Sequence, residues 1–151
     1  MASLRDEMVS KIAKSLSDDG YKLIVKAYEE SDYRKDRTQN LHDSYGCCVY
    51  YDGKKVKGSD RYMVSRATQG RYNYYTDEVE YGRQEIKDFF NNYTPKAKGF
   101  ELVLAVAMFY GKYLEEQKGG ISRKYKVISF VSKEAQDLAN KYNGKAKKIG
   151  G

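Results

Sequence analysis

Apolar and polar positions along the chain follow two different periods. Leu4, Met8, Ile12 and Leu16 recur every four residues, one stripe on one face of a helix that Ser3 is suited to cap. Ser17-Asp18-Asp19-Gly20 interrupts the stripe before Tyr21, Leu23, Ile24, Val25, Ala27 and Tyr28 resume it. The spacing predicts two helical pieces, or one kinked helix, ending near Tyr28, while the β-branched pair Ile24-Val25 is also compatible with a strand. Residues 29 to 36 are charged and read as a solvated link. A polar corner then runs from Arg37 to Gly46 into Cys47-Cys48-Val49-Tyr50-Tyr51, and Asp52-Gly53 separates that run from Lys54-Lys55-Val56. The pair predicts a two-residue hairpin, because a type I′ turn needs positive φ at both central positions.

Residues 58–81 keep no period and read as a long loop or extended arm; loops of this length are usually functional or mobile. Ile86, Phe89, Phe90 and Tyr93 restore helical spacing from Gly82, and Pro95 with the residues before it ends that helix. The unbroken apolar run Phe100 to Met108 predicts the central, most buried strand. Residues 109 to 116 predict a turn or two of helix before Gly119-Gly120, Tyr125 to Val131 a further strand, and Ser132 the cap of a last helix carrying Ala135, Leu138, Ala139 and Tyr142. The class is therefore α+β: a small, mostly antiparallel sheet, made of the hairpin and two further strands, packed against an N-terminal and a central helix. One domain spans 1–143 with the arm inserted at 58–81, and 144–151 forms a basic tail.

Composition narrows the function classes. With 151 residues, 40% hydrophobic and 32% charged, the chain has the profile of a single globular domain. No apolar run approaches the roughly 20 residues of a spanning helix, and the N-terminus is too polar for a signal peptide, which predicts a protein made in a cytoplasm with no membrane partner. Lys and Arg outnumber Asp and Glu by 28 to 21, a net charge of +7 that favours a polyanion or an acidic protein surface as partner. Lys141, Lys145, Lys147 and Lys148 concentrate this charge in what reads as a frayed, solvated terminus. Sixteen Tyr against five Phe and no Trp suits half-buried surface and subunit contacts. Base stacking is the alternative, although no RRM, KH or zinc-knuckle pattern accompanies the tyrosines. Arg61, Tyr62, Arg66, Arg71, Tyr72, Tyr74 and Tyr75, all on the arm, are the candidates for a subunit interface, or else for a phosphate backbone.

Reactive chemistry finds little support. Cys47 and Cys48 are adjacent and would point to opposite faces of a strand, which argues against a disulfide or a shared metal. A single His excludes a Cys/His zinc cluster, and His42 in its polar corner reads as a solvated side chain. There is no GxSxG elbow and no P-loop. No catalytic, cofactor-binding or metal-binding residue is predicted, and the chain reads as a non-enzyme.

One resemblance covers most of the chain. Arg37-Thr38-Gln39-Asn40-Leu41-His42-Asp43-Ser44 resembles the Thr-Gly-Asn-Leu-x-x-Ser corner that follows the N-terminal helix in head-tail joining and tail-completion proteins of tailed bacteriophages. Residues 102–115, ending Phe109-Tyr110-Gly111-Lys112-Tyr113-Leu114-Glu115, resemble that family's apolar strand running into Tyr-Ala-x-Tyr-Val-Glu. Thr38, Asn40, Leu41, Ser44, Tyr110, Tyr113 and Glu115 are the matching positions. Gln39 stands where the family commonly has Gly, Gly111 where it has Ala, and the arm is an addition. The resemblance implies a virion structural protein made in the host cytoplasm, forming a homo-oligomeric ring in the portal-to-tail connector. Its partners would be a portal or adaptor protein and tail proteins, and the positive charge is compatible with non-specific contact to DNA in the channel. A basic, Tyr-rich nucleic-acid-binding module using Tyr72, Tyr74 and Tyr75 as a stacking platform is the alternative.

Overall fold

The structure is a computed structural model that describes residues 3–30, 39–108, 127–129 and 131–150. Helix α1, Leu4–Glu29, is continuous, and Ser3 opens it with a capping box: its hydroxyl accepts from the Asp6 amide while the Asp6 carboxylate accepts from the Ser3 amide. The expected break at Ser17-Asp18-Asp19-Gly20 does not occur. Ser17 and Gly20 are buried on the core face with Ala13, Leu16, Ile24, Ala27 and Tyr28, and a Cβ on Gly20 would stand 3.2 Å from Leu102 Cδ1. Glycine thus costs some helix propensity but lets the helix lie close on the sheet. The four-residue stripe fails at its start, where Leu4 and Met8 are 76% and 57% exposed.

A short helix α2, Asn40–Asp43, leads into strand β1, Tyr45–Tyr51, which turns back as β2, Lys54–Lys55. Asp52 and Gly53 take positive φ of 50° and 83°, as the Asp-Gly signal requires. Strand β3, Arg61–Tyr62, pairs with the same edge of β1 further along. Strands β4, Arg71–Asn73, and β5, Glu78–Glu80, form a separate two-stranded hairpin before helix α3, Gly82–Asn92. Strand β6, Phe100–Val106, pairs antiparallel with all of β1, Tyr45 opposite Val106 through Tyr51 opposite Phe100. Helix α4, Ser132–Asn140, precedes β7, Lys145–Gly150. The main sheet has the order β2-β1-β6-β7, with β3 also on β1.

Strand β6 is apolar at every position but Glu101 because both its faces are covered. Leu102, Leu104 and Val106 join Cys47, Val49, Leu16, Ile24 and Ala135 in the core under α1 and α4. Val103 and Ala105 join Cys48, Tyr50, Ile86 and Phe90 under α3. The two cysteines do separate to opposite faces. Tyr50 closes the second core by donating its hydroxyl to the Phe90 carbonyl at 2.7 Å, satisfying an acceptor in the last turn of α3.

Three expectations about the C-terminal third are overturned. At its described residues the segment 125 to 131 is bend and turn rather than strand, and Val127, Ile128 and Val131 use their apolar side chains to fill the core beside Ala135. The place beside β6 belongs to the lysine-rich segment that reads as a tail: β7 pairs parallel with β6, Glu101 opposite Lys145 through Val106 opposite Gly150. Alternation explains why composition hides it. Ala146 faces the first core and Ile149 the second, while Lys145, Lys147 and Lys148 are the polar positions of a half-covered edge strand. Ser132 does not cap α4; Val131 is the cap residue and the Ser132 hydroxyl donates to the Ser129 carbonyl.

Val103 is fully buried between β1 and α3. Val103→Asp strands a charge there at a cost of several kcal/mol, comparable to the roughly 5–15 kcal/mol that holds a domain together. The variant is expected to be unfolded by circular dichroism; an unchanged melting curve removes β6 from the centre of the fold.

Candidate functional site: a latched arm with a solvent-facing tyrosine hairpin

The corner expected to be solvated is the most buried polar cluster among the described residues. Residues 40 to 44 are all buried, with His42 2% and Asp43 1% exposed. Gln39 opens α2 in the left-handed region at φ 60°, so a side chain occupies the conformation that glycine would adopt without strain. His42 Nδ1 lies 2.9 Å from Asp43 Oδ1, and its ring meets Tyr28 edge-on at 4.9 Å. A pair so enclosed does not meet solvent; it positions chain.

Asp43 gathers residues 65–67 of the arm. Its carboxylate accepts from the Arg66 amide at 2.9 Å, the Ala67 amide at 3.0 Å and the Ser65 hydroxyl at 2.9 Å. Burial pushes the Asp43 carboxyl up, but the hydrogen bonds from His42, Ala67, Arg66 and Ser65 outweigh it and hold the group below the ordinary Asp range. Asn40 ties the two ends of the hairpin-bearing half of the arm: its amide donates to the Gln69 carbonyl at 2.7 Å and its oxygen accepts from the Gly82 amide at 2.9 Å. Gly82 has no substitute in this arrangement, since a Cβ there would stand 2.0 Å from the Asn40 carbonyl oxygen. Ser44 completes the corner, its hydroxyl on the Leu41 carbonyl and its carbonyl on the Ala107 amide.

Ser59 supplies a second anchor. Its hydroxyl oxygen accepts from the Val49 amide at 3.2 Å and lies 3.0 and 2.7 Å from the Val49 and Val56 carbonyls. One side chain thereby satisfies β1 in the gap between β2 and β3. Buried Met63 enters the main core, and Arg83 donates to the Met63 carbonyl while its guanidinium lies 5.4 Å from the Tyr62 ring.

These contacts divide the interface candidates. Arg61 and Tyr62 are turned inward: the Arg61 guanidinium donates to Asp18 at 2.6 Å and to the Gly58 carbonyl, and the Tyr62 hydroxyl donates to Asp60 at 2.7 Å. Arg66 is held by its backbone and its side chain is exposed. Arg71, Tyr72, Tyr74 and Tyr75 lie on or beside the β4–β5 hairpin, where Tyr74 and Tyr75 are 75% and 89% exposed. The arm is thus no uniform loop: its first half is fastened to the domain and only its tip projects. Tyr72 and Val79 are cross-strand partners on one face of that tip, both exposed, and Tyr74 packs edge-on against Tyr72 at 5.2 Å. Val79 and Tyr81 extend the exposed apolar area, and neither was singled out by the sequence pattern.

Charge separates the two readings of those tyrosines. Residues 71–80 carry Arg71 against Asp77, Glu78 and Glu80, three negative charges to one positive on a chain that is +7 as a whole. Burial, and then the Glu80, Asp88 and Glu78 carboxylates, push the nearby Glu85 carboxyl up. A stacking platform for nucleic acid sits badly amid carboxylates that repel phosphate. Of the family-motif positions, Asn40 and Ser44 are the corner's hydrogen-bonding residues and Leu41 enters the main core; Thr38, Tyr110, Tyr113 and Glu115 lie outside the described residues. Among the described residues no group of His, Cys, Asp and Glu could hold a metal, and no helix is long and apolar enough to cross a membrane. No family model, curated protein or solved structure matches this chain.

Asp43→Asn removes the charge that organises residues 65–67 and is expected to raise hydrogen exchange at the Arg66 and Ala67 amides while the β1 and β6 amides stay protected. In the parent chain that protection is present above the ordinary Asp value near 3.8 and falls away as acid carries the pH down through the lower folded-state pKa. Exchange at those two amides that ignores both the substitution and the acid titration contradicts the latch. Burial also pushes both thiols up, Cys47 most strongly. Iodoacetamide is expected to label neither cysteine in native protein and both in denaturant.

Proposed function

We propose that this chain is a structural virion protein of a tailed bacteriophage, a head-tail joining or tail-completion subunit of the portal-to-tail connector. The observation that carries the reading is the β4–β5 hairpin: an exposed apolar face of Tyr72, Tyr74 and Val79 on a hairpin whose base is fastened by Asp43 and Asn40. A two-stranded hairpin gains little stability by itself. An exposed apolar face on a braced support is the form of a protein-binding element, with Tyr as a residue enriched at the centres of interfaces. The buried corner at 40–44 gives the resemblance in that stretch a physical role, the bracing of whatever follows β1. In this reading the chain works by shape rather than by catalysis, as one member of a ring that also contacts a portal or adaptor protein and tail proteins.

Antibody against the chain is expected to label virions at the junction of capsid and tail in electron micrographs, with a fixed number of copies per particle by quantitative mass spectrometry. Virions without label, or label scattered over the capsid, overturn the proposal. Tyr74 and Tyr75 are both exposed, so for Tyr74→Ser combined with Tyr75→Ser the melting temperature is expected to hold within about 2 °C. Incorporation into particles is expected to fall by about tenfold or more, as for loss of interface anchors. Strongly salt-dependent binding of the purified chain to nucleic acid, abolished by the same pair of substitutions, would instead support the nucleic-acid module.

A further inference from the structure

The partner of the hairpin can be sought on the chain itself. Helix α3 covers only part of its face of the sheet, and two hollows meet at Tyr93, one along α3 and the other between the segment 93–97 and β7, together forming a groove from α3 to β7. The first, of about 510 Å³, is lined by Glu85, Asp88, Phe89 and Tyr93 among others. The second, of about 300 Å³, is lined by Tyr93, Lys96, Glu101, Lys145 and Lys147 among others. Phe89 and Tyr93 stack at 5.4 Å as an aromatic wall, and Ala107 and Ile149 are half-buried at the margin of the same core. Glu101 is 95% buried; its Oε1 accepts from the Tyr93 hydroxyl at 3.2 Å, whereas its Oε2 has no hydrogen-bond partner among the described residues. A buried acceptor left without a donor is costly, and an incoming hydroxyl relieves it.

We propose that the β4–β5 hairpin of one copy docks in this α3–β7 groove of a second copy of the same chain. The deduction rests on the connector reading above and names the contact that joins its subunits. Three features match. The hairpin offers exposed phenols and the groove offers an aromatic wall with an unpartnered carboxylate oxygen for a phenol to donate to. The hairpin is acidic through Asp77 and Glu78 where the groove is basic through Lys96, Lys145 and Lys147. Arg71 at the base of the hairpin stands opposite Glu80, which offsets it, while Asp77 and Glu78 leave the tip acidic; Glu85 and Asp88 make one end of the groove negative and so direct that tip to the lysine end. Donor and acceptor are different surfaces of one molecule, which makes the contact heterologous, able to repeat from copy to copy and to close into a ring.

Charge reversal tests the pairing. The full chain is expected to associate with rising concentration in analytical ultracentrifugation at low salt. Glu78→Lys on the hairpin, or Lys145→Glu with Lys147→Glu in the groove, is expected to weaken that association about tenfold or more. An equimolar mixture of the two variants is expected to recover it, because each hairpin then finds a groove of opposite charge on the other chain. Tyr74→Phe with Tyr75→Phe, which keeps the rings and removes the hydroxyls, is expected to weaken association with no change in melting temperature. Variants that associate like the parent, or a mixture that stays as weak as its components, overturn the proposed contact and leave the connector reading standing. A parent chain that is monomeric at every concentration also overturns it, and the location of the protein in the virion is then decided by the labelling experiment alone.

Discussion

The arrangement of the arm depends on one buried carboxylate. Asp43 is taken out of water, at a cost of several kcal/mol for an ion left alone, and is stabilised by two amides and a hydroxyl that all come from residues 65–67. Removing those donors would leave His42 alone to stabilise a charge in the core. The arm is therefore held as firmly as the corner itself: neither can open without exposing the other's unsatisfied groups. Asn40 extends the same logic to the far end of the arm, and Gly82 permits it by letting two backbones touch.

Around this corner the sheet is covered on both faces but unequally. Helices α1 and α4 cover one face, and α3 packs on the other mainly against β1 and β6. The strip beside β7 that no described helix covers is where lysines, a buried glutamate and two aromatic rings come together. A lysine-rich edge strand resists random pairing with other edges. It can still accept a surface that brings the opposite charge, so the same residues serve discrimination and attachment.

Much of the architecture was legible because its signals are local. Asp52-Gly53 specifies a turn by its own backbone demands, Ser3 and Asp6 mark a helix start, and the unbroken run 100–106 records burial on two faces. What failed to show was decided by distant contacts. Gly20 looks like a helix break until Leu102 is known to lie against it. His42 and Asp43 look like solvent residues until residues 65–67 arrive to pair with the carboxylate. The strand 145–150 looks like a tail because only Ala146 and Ile149 mark its two faces, and lysine stems mask the alternation. The interface candidates were found as a set by composition, but composition could not sort them. Arg61 turns to Asp18, 43 residues away, a proximity that no sequence spacing reports, while Tyr62 is held by Asp60 only two residues before it.

Fastening the arm at its base has a bearing on how such a chain can change over generations. The antiparallel ladder of β1 with β6 closes a loop that contains the whole arm, and the entropy of closing a loop grows only with the logarithm of its length, about 0.6 kcal/mol per doubling. Residues beyond Gln69 and before Gly82 are insulated from the core by the Asn40 and Asp43 clasps. Insertions and substitutions in the tip can therefore accumulate with little penalty to the domain. Recognition and stability draw on separate stretches of sequence, and a lineage with this layout can exchange its partners without first rebuilding its fold.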